Sequence, residues 1–216
     1  MNPRKELVGR LGECPLVAII RGVTPGEAEA IGAAIFEAGI RIIEVPLNSP
    51  EPLRSIERLA RMLGDQALVG AGTVLEAEDV GRVKDAGGRV IVSPNTFAPV
   101  IEAAAAAGLV SLPGFFTPSE AFTALRAGAT GLKLFPAEGA VPAVVKAQRA
   151  VLPKDVPLLV VGGIGPGNMR PWLEAGAQGF GLGSGLYRPG QSAEETAAKA
   201  RAYVEGLRGT SPLEGT

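Results

Sequence analysis

"TPSEAFTALRAGATGLKLFPA", residues 117–137, contains a complete helix-to-strand unit and, inside it, a charge where none is expected. Thr117 reads as a helix N-cap, with Pro118 at the first helical position and Glu120 at the third, a pattern that satisfies the free N–H groups of a first turn. Gly128 then ends the helix, because glycine enters the left-handed conformation at little steric cost. The run "GLKLF" (131–135) is short, apolar and bounded by turn residues, so it reads as a buried strand. Lys133 stands in its middle, although burying an ammonium costs several kcal/mol unless it is paired or gives up its proton.

The same unit recurs in both directions along the chain. "TPGEAEAIGAAIFEAG" repeats the cap with Thr24, Pro25 and Glu27 and the stop with Gly39. "EAG" at 37–39 returns at 174–176, while "DAGG", "AAG" and "RAG" mark further helix ends. Strands are expected at "LVAII" (16–20), "IIEVP" (42–46), "ALVGA" (67–71), "VIVSP" (90–94), "LVSLP" (109–113), "GLKLF" (131–135), "LLVVG" (158–162) and "GFGLG" (179–183). Their starts lie roughly 20 to 25 residues apart, enough for a strand, a loop, a helix and the return. Eight near-equal units predict an α/β fold of the (β/α)8 TIM-barrel class, with an open doubly wound sheet as the alternative. Residues 1–216 are expected to form a single barrel domain. An extra N-terminal helix within 1–15 covers the barrel bottom, and 209–216 reads as a frayed tail.

Composition narrows the chemistry. The chain has 216 residues, 46% of them hydrophobic, and its net charge of -1 offers no handle for nucleic acid or an anionic membrane. No apolar run approaches the ~18 residues of a membrane span, and "MNPRKELVGRLGE" lacks a signal-peptide core. One cysteine, Cys14, excludes an internal disulfide and suits a reducing compartment, so a cytoplasmic protein is expected. There is no histidine. Acid–base chemistry near neutral pH therefore falls to a carboxylate, a lysine, a tyrosine or the cysteine, and no metal site or cofactor is expected.

Alternation decides where Lys133 points. Leu132 and Leu134 share one side of their strand and belong against the outer helices, so Lys133, with Gly131 and Phe135, faces the barrel interior. In "IIEVP" the same rule sends Ile43 and Val45 outward and Ile42 and Glu44 inward. One reading is a structural ion pair between Lys133 and Glu44. The other is catalytic: a buried amine has a depressed pKa, its neutral form attacks a ketone to give a Schiff base, and Glu44 moves protons beside it. Near the C-terminal end of the strands, where barrels place their chemistry, the second reading describes class I aldol chemistry. The loops "VGGIGPGN" (161–168) and "GLGSG" (181–185) follow the seventh and eighth expected strands, the usual phosphate site of this fold, and their glycines let backbone approach an anion.

Taken in order, "IIRG", "IEVPLNSP", "GAGTV", "VSPN", "LPGFFTPSEAFTALRAGA", "LKLFPA", "VGGI" and "GLGS" resemble the 2-keto-3-deoxy-6-phosphogluconate and 2-keto-3-deoxy-6-phosphogalactonate aldolases over almost the whole chain. The resemblance implies that Lys133 forms the Schiff base and Glu44 is the general acid/base. It implies that Thr73 binds the pyruvyl carboxylate, that Pro94 and Phe135 wall the imine, and that Gly162, Gly163, Gly183 and Ser184 cradle a phosphate. Arg21 becomes a contact for a substrate anion, with a rim salt bridge as the alternative. Asn48 and Val161 stand where gluconate-type members usually carry arginine and threonine, and both resemble the galactonate type. The implied partner is a phosphorylated keto-acid substrate, the implied assembly a homotrimer. Other readings are a gluconate-type or broad 2-keto-4-hydroxyacid aldolase and a non-catalytic sugar-phosphate-binding barrel.

Overall fold

The structure, a computed structural model, describes residues 2–208; the expected tail at 209–216 lies outside the described residues. Helix α1 (Pro3–Glu13) is followed by β1 (Leu16–Ile19), α2 (Ala28–Glu37), β2 (Ile42–Pro46), α3 (Pro52–Leu63), β3 (Leu68–Gly72), α4 (Ala77–Asp85) and β4 (Val90–Val92). The second half runs α5 (Ala98–Ala106), β5 (Val110–Leu112), β6 (Gly114–Phe115), α6 (Pro118–Arg126), β7 (Leu132–Leu134), α7 (Pro142–Arg149), β8 (Leu158–Val161), α8 (Arg170–Glu174), β9 (Gly179–Leu182) and α9 (Ala193–Arg208).

All strand pairs are parallel and follow the order β5-β4-β3-β2-β1-β9-β8-β7-β6. The two ends of that order are one stretch of chain. The expected fifth strand, 109–113, is divided at Pro113, which has no N–H to give to a ladder. On one side β5 pairs with β4. On the other, the Ser111 carbonyl accepts from the N–H of Gly131 at 3.1 Å, and the Pro113 carbonyl accepts from that of Lys133 at 3.0 Å. The sheet therefore returns on itself through 110–115, and the open doubly wound alternative is set aside. The ring of helices joins up as well, with α2 packed on α9 over the β1–β9 seam.

Alternation divides the core in two. Val17, Ile42, Leu68, Val90, Val110 and Leu159 fill the barrel interior together with Leu7 and Leu11 of α1. Ile43, Val45, Leu132 and Leu134 belong to the larger layer between strands and helices. Helix α1 thus plugs the N-terminal end, as expected. Gly131 and Gly179 make room for it: a Cβ on either would stand 3.1 Å from a leucine methyl of α1.

The helix signals are realised unequally. Thr117 and Glu120 form a full capping box at α6. Thr24 does not cap at Pro25: its hydroxyl donates to Glu27 at 2.6 Å, and α2 begins only at Ala28. Gly26, a poor helix former, occupies that first turn, where Ser119 stands in α6. The five glycines read as helix stops, Gly39, Gly87, Gly108, Gly128 and Gly176, all have positive φ.

Candidate active site

Glu44 on β2 and Lys133 on β7 enter the same end of the barrel and are 2% and 7% exposed. Both border a small apolar space lined by Ile19, Val92, Leu112, Leu159 and Val161. Glu44 packs against bare backbone: a Cβ on Gly72 would stand 1.9 Å from its Oε2, so glycine at 72 leaves the place where the carboxyl lies. That oxygen is buried and accepts no hydrogen bond. The two side chains thus face a common space without forming the direct structural pair that was one reading of the sequence.

Burial dominates the electrostatics. It pushes the Glu44 carboxyl up to about 7, against the pull of the cations Lys133 and Arg21. The Lys133 amine is held below its ordinary value by burial, against the attraction of Glu44 and with help from Arg21. Each group is thereby moved toward neutral pH from its own side, which suits a nucleophilic amine and a proton carrier. The Lys133 ammonium also lies 4.8 Å from the Phe135 ring centroid, a contact that favours the charged form.

Above the pair, the ends of three adjacent strands are tied together by Arg21, which donates to Asn48 Oδ1 and, at 3.3 Å, to Thr73 Oγ1. Among the described residues no carboxylate lies within ion-pair distance of Arg21, so the rim salt bridge is not formed, although its charge acts on Glu44 at longer range. Thr73 has φ +54°, rare for a β-branched residue, and such strain concentrates at functional positions.

Arg21, Phe135, Val161, Gly162, Gly163, Gly183 and Ser184 line one cavity of about 520 Å³ at this mouth. It adjoins the Lys133–Glu44 space, sharing Ile19, Val161 and Gly181. Gly162 and Gly163 have φ of +118° and +65°. Asn168 braces their loop by donating to the Gly163 carbonyl at 2.8 Å and accepting from Gly165 N–H at 2.9 Å. From α9, buried Tyr203 donates to the Ile164 carbonyl at 2.8 Å. Pro94 lines neither space; its carbonyl crowds Gly114, the register neighbour of Lys133.

The sequence reading missed Ile19, Glu138 and Arg188, which also line the cavity. Ile19 could have been found by extending alternation along β1. The other two follow the ends of β7 and β9 in loops, where no period applies. Among the described residues no group of three or more His, Cys, Asp or Glu is arranged to hold a metal ion, and no helix is long and apolar enough to cross a membrane.

A buried amine and carboxyl at the C-terminal mouth of a parallel barrel, beside glycine loops suited to an anion, are the kind of apparatus a lyase needs. The chain belongs to the family described as KDPG and KHG aldolase, whose model matches residues 8–200. It is 48% identical over 194 residues to 2-dehydro-3-deoxy-6-phosphogalactonate aldolase of Escherichia coli (strain K12), covering 90% of this chain and 95% of that one. It is 49% identical over 192 residues to a probable 2-dehydro-3-deoxy-6-phosphogalactonate aldolase of Rhizobium meliloti (strain 1021), covering 89% and 91%. A solved structure described as native KDPGal superposes with a TM-score of 0.90 at 47% identity, over 92% of this chain and 96% of that one.

Proposed function

We propose that this aldolase cleaves 2-dehydro-3-deoxy-6-phosphogalactonate to pyruvate and glyceraldehyde 3-phosphate through a Schiff base on Lys133. The observation that carries the reading is the buried Lys133–Glu44 pair, unbridged and pushed toward neutral pH, opening into a cavity floored by a double-glycine loop. The named relatives, at nearly half identity, support the substrate.

In the proposed cycle the neutral Lys133 amine adds to the C2 ketone, and loss of water with uptake of one proton, given back at the final hydrolysis, yields an iminium. Glu44, directly or through a water, takes the proton of the C4 hydroxyl. The C3–C4 bond breaks, its electrons pass to the iminium, and the aldehyde leaves. Glu44 returns the proton to C3 of the enamine, and water hydrolyses the iminium to release pyruvate and free Lys133. Thr73 and Arg21 hold the pyruvyl carboxylate, with Asn48 orienting Arg21. Phe135 keeps the imine dry, whereas Pro94, which lines neither space, has no part in the wall. Backbone N–H groups at Gly162, Gly163, Gly183 and Ser184 hold the phosphate.

The reading treats the chain as one barrel domain, supported by the single sheet that holds every described strand. It further takes the enzyme to be a cytoplasmic homotrimer. Phe97 and Phe116, 41% and 37% exposed after β4 and β6, are apolar surface for such contacts, and light scattering of the purified chain tests the assembly. The chemistry is tested by borohydride reduction with pyruvate: the adduct is expected on Lys133. A label on Lys146 or Lys154 instead, or none, overturns the mechanism.

A further inference from the structure

The geometry points to Glu138 as a specificity residue that competes with the substrate phosphate for the double-glycine cradle. This rests on the reading of Gly162 and Gly163 as that cradle. Glu138 belongs to a 3₁₀ turn, Ala137–Gly139, that follows β7. Its side chain lies across the loop after β8: a Cβ on Gly162 would stand 1.9 Å from Glu138 Oε2, and one on Gly163 would stand 3.2 Å from its Cγ. The carboxylate therefore rests on the bare backbone that glycine leaves open at these two positions. It is exposed, and no hydrogen bond or ion pair holds it there among the described residues.

Two anions cannot share this place without cost. The N–H groups of the loop favour negative charge, and Glu138 is a tethered negative charge beside them. An arriving phosphate must displace the side chain and then bind with a carboxylate nearby. The glycine loops alone would select strongly for phosphorylated substrates; Glu138 weakens that selection. An unphosphorylated keto acid meets no such conflict. Because Glu138 is exposed, the repulsion is screened and its effect is modest, about three- to ten-fold in binding.

The test compares KM for the phosphorylated keto acid and for its unphosphorylated counterpart in wild type, Glu138→Gln and Glu138→Ala. Both variants are expected to lower KM for the phosphorylated substrate by about three- to ten-fold, to favour it over the unphosphorylated one by that factor, and to lose most of the gain at ~0.5 M salt. An unchanged or raised KM for the phosphorylated substrate in both variants, or an equal fall for both substrates, overturns the proposal. Calorimetric titration with inorganic phosphate repeats the comparison without turnover: tighter binding by Glu138→Gln supports competition, and equal or weaker binding refutes it. Borohydride trapping of pyruvate in the wild type separates the two levels. Failure to label Lys133 counts against the aldolase mechanism, whereas the phosphate titration judges Glu138 alone.

Discussion

Replacing Glu44 by glutamine removes one titrating group from the barrel interior and should flatten the pH dependence of stability. In the folded chain this carboxyl titrates near 7 instead of 4.5, chiefly because burial penalises its charge. Between those pH values the folded chain keeps a proton that the unfolded chain has lost, so stability falls as pH rises through the window. The whole move corresponds to at most roughly 3–4 kcal/mol, at ~1.4 kcal/mol per pH unit. Lys133 works in the opposite sense: its lowered value makes its charge costly at low pH and relieves that cost toward 10.5. In guanidinium titrations at closely spaced pH values, the wild-type midpoint should therefore drop from pH 5 to pH 7.5. Glu44→Gln should come closest to wild type near pH 4, where Glu44 is protonated in both the folded and most of the unfolded chain, and be the more stable protein above pH 7. Its turnover should fall by roughly 10²–10⁴, since shape and hydrogen bonding survive but proton transfer does not. Parallel stability curves for the two proteins would refute the assignment of a raised carboxyl pKa, and turnover within a few-fold of wild type would refute the catalytic role.

Lys133→Met should abolish cleavage and pyruvate trapping while leaving the midpoint of unfolding equal to or above that of wild type, because a buried amine is exchanged for an apolar chain of similar length; a lower midpoint would mean that Lys133 is structural. Tyr203→Phe leaves the Ile164 carbonyl without its buried donor, so about 1–3 kcal/mol of stability should be lost and KM for the phosphorylated substrate should rise more than the rate of pyruvate trapping falls. Val161→Thr should move the ratio of kcat/KM values toward the phosphogluconate epimer.

The strand periodicity carried most of the fold because the barrel interior and the helix layer are both apolar and alternate strictly along each strand. Glu44 and Lys133 could be assigned to the interior without coordinates for the same reason: their neighbours Ile43, Val45, Leu132 and Leu134 had only the outer layer to occupy. Pro113 was a different matter. Its missing N–H divides a strand that hydropathy shows as continuous, and the break becomes visible only when the ladders on both sides are followed. The start of α2 escaped because the cap motif is only half realised there: Thr24 donates to Glu27 as Thr117 does to Glu120, but the Glu27 N–H donates to the Thr24 carbonyl and not to its hydroxyl. Glu138 escaped for a third reason. Its relation to Gly162 joins loops after different strands, and neither period nor motif reports such a meeting.

Val161 bears on the discrimination between epimers at carbon 4. It ends β8, opposite Gly181 in the register, and is 7% exposed while bordering both the Lys133–Glu44 space and the larger cavity. A Cβ on Gly181 would stand 2.7 Å from a Val161 methyl, so glycine at 181 leaves the room that the valine side chain occupies. Threonine differs from valine by a hydroxyl at nearly constant volume. Resemblance assigns threonine here to the gluconate-type enzymes, where a hydroxyl can meet the carbon 4 substituent of one epimer. Wild type is therefore expected to cleave the phosphogalactonate substrate at least as well as its phosphogluconate epimer, and Val161→Thr to shift the ratio by about ten-fold, at most ~200-fold. The comparison must be made on kcat/KM for both epimers, since a parallel loss would report only damage to the adjoining loop. A wild type that strongly prefers phosphogluconate would refute the substrate assignment and leave the aldolase chemistry untouched. An unchanged ratio would move the discrimination to the other departure from the gluconate pattern, Asn48, which acts through its hydrogen bond from Arg21.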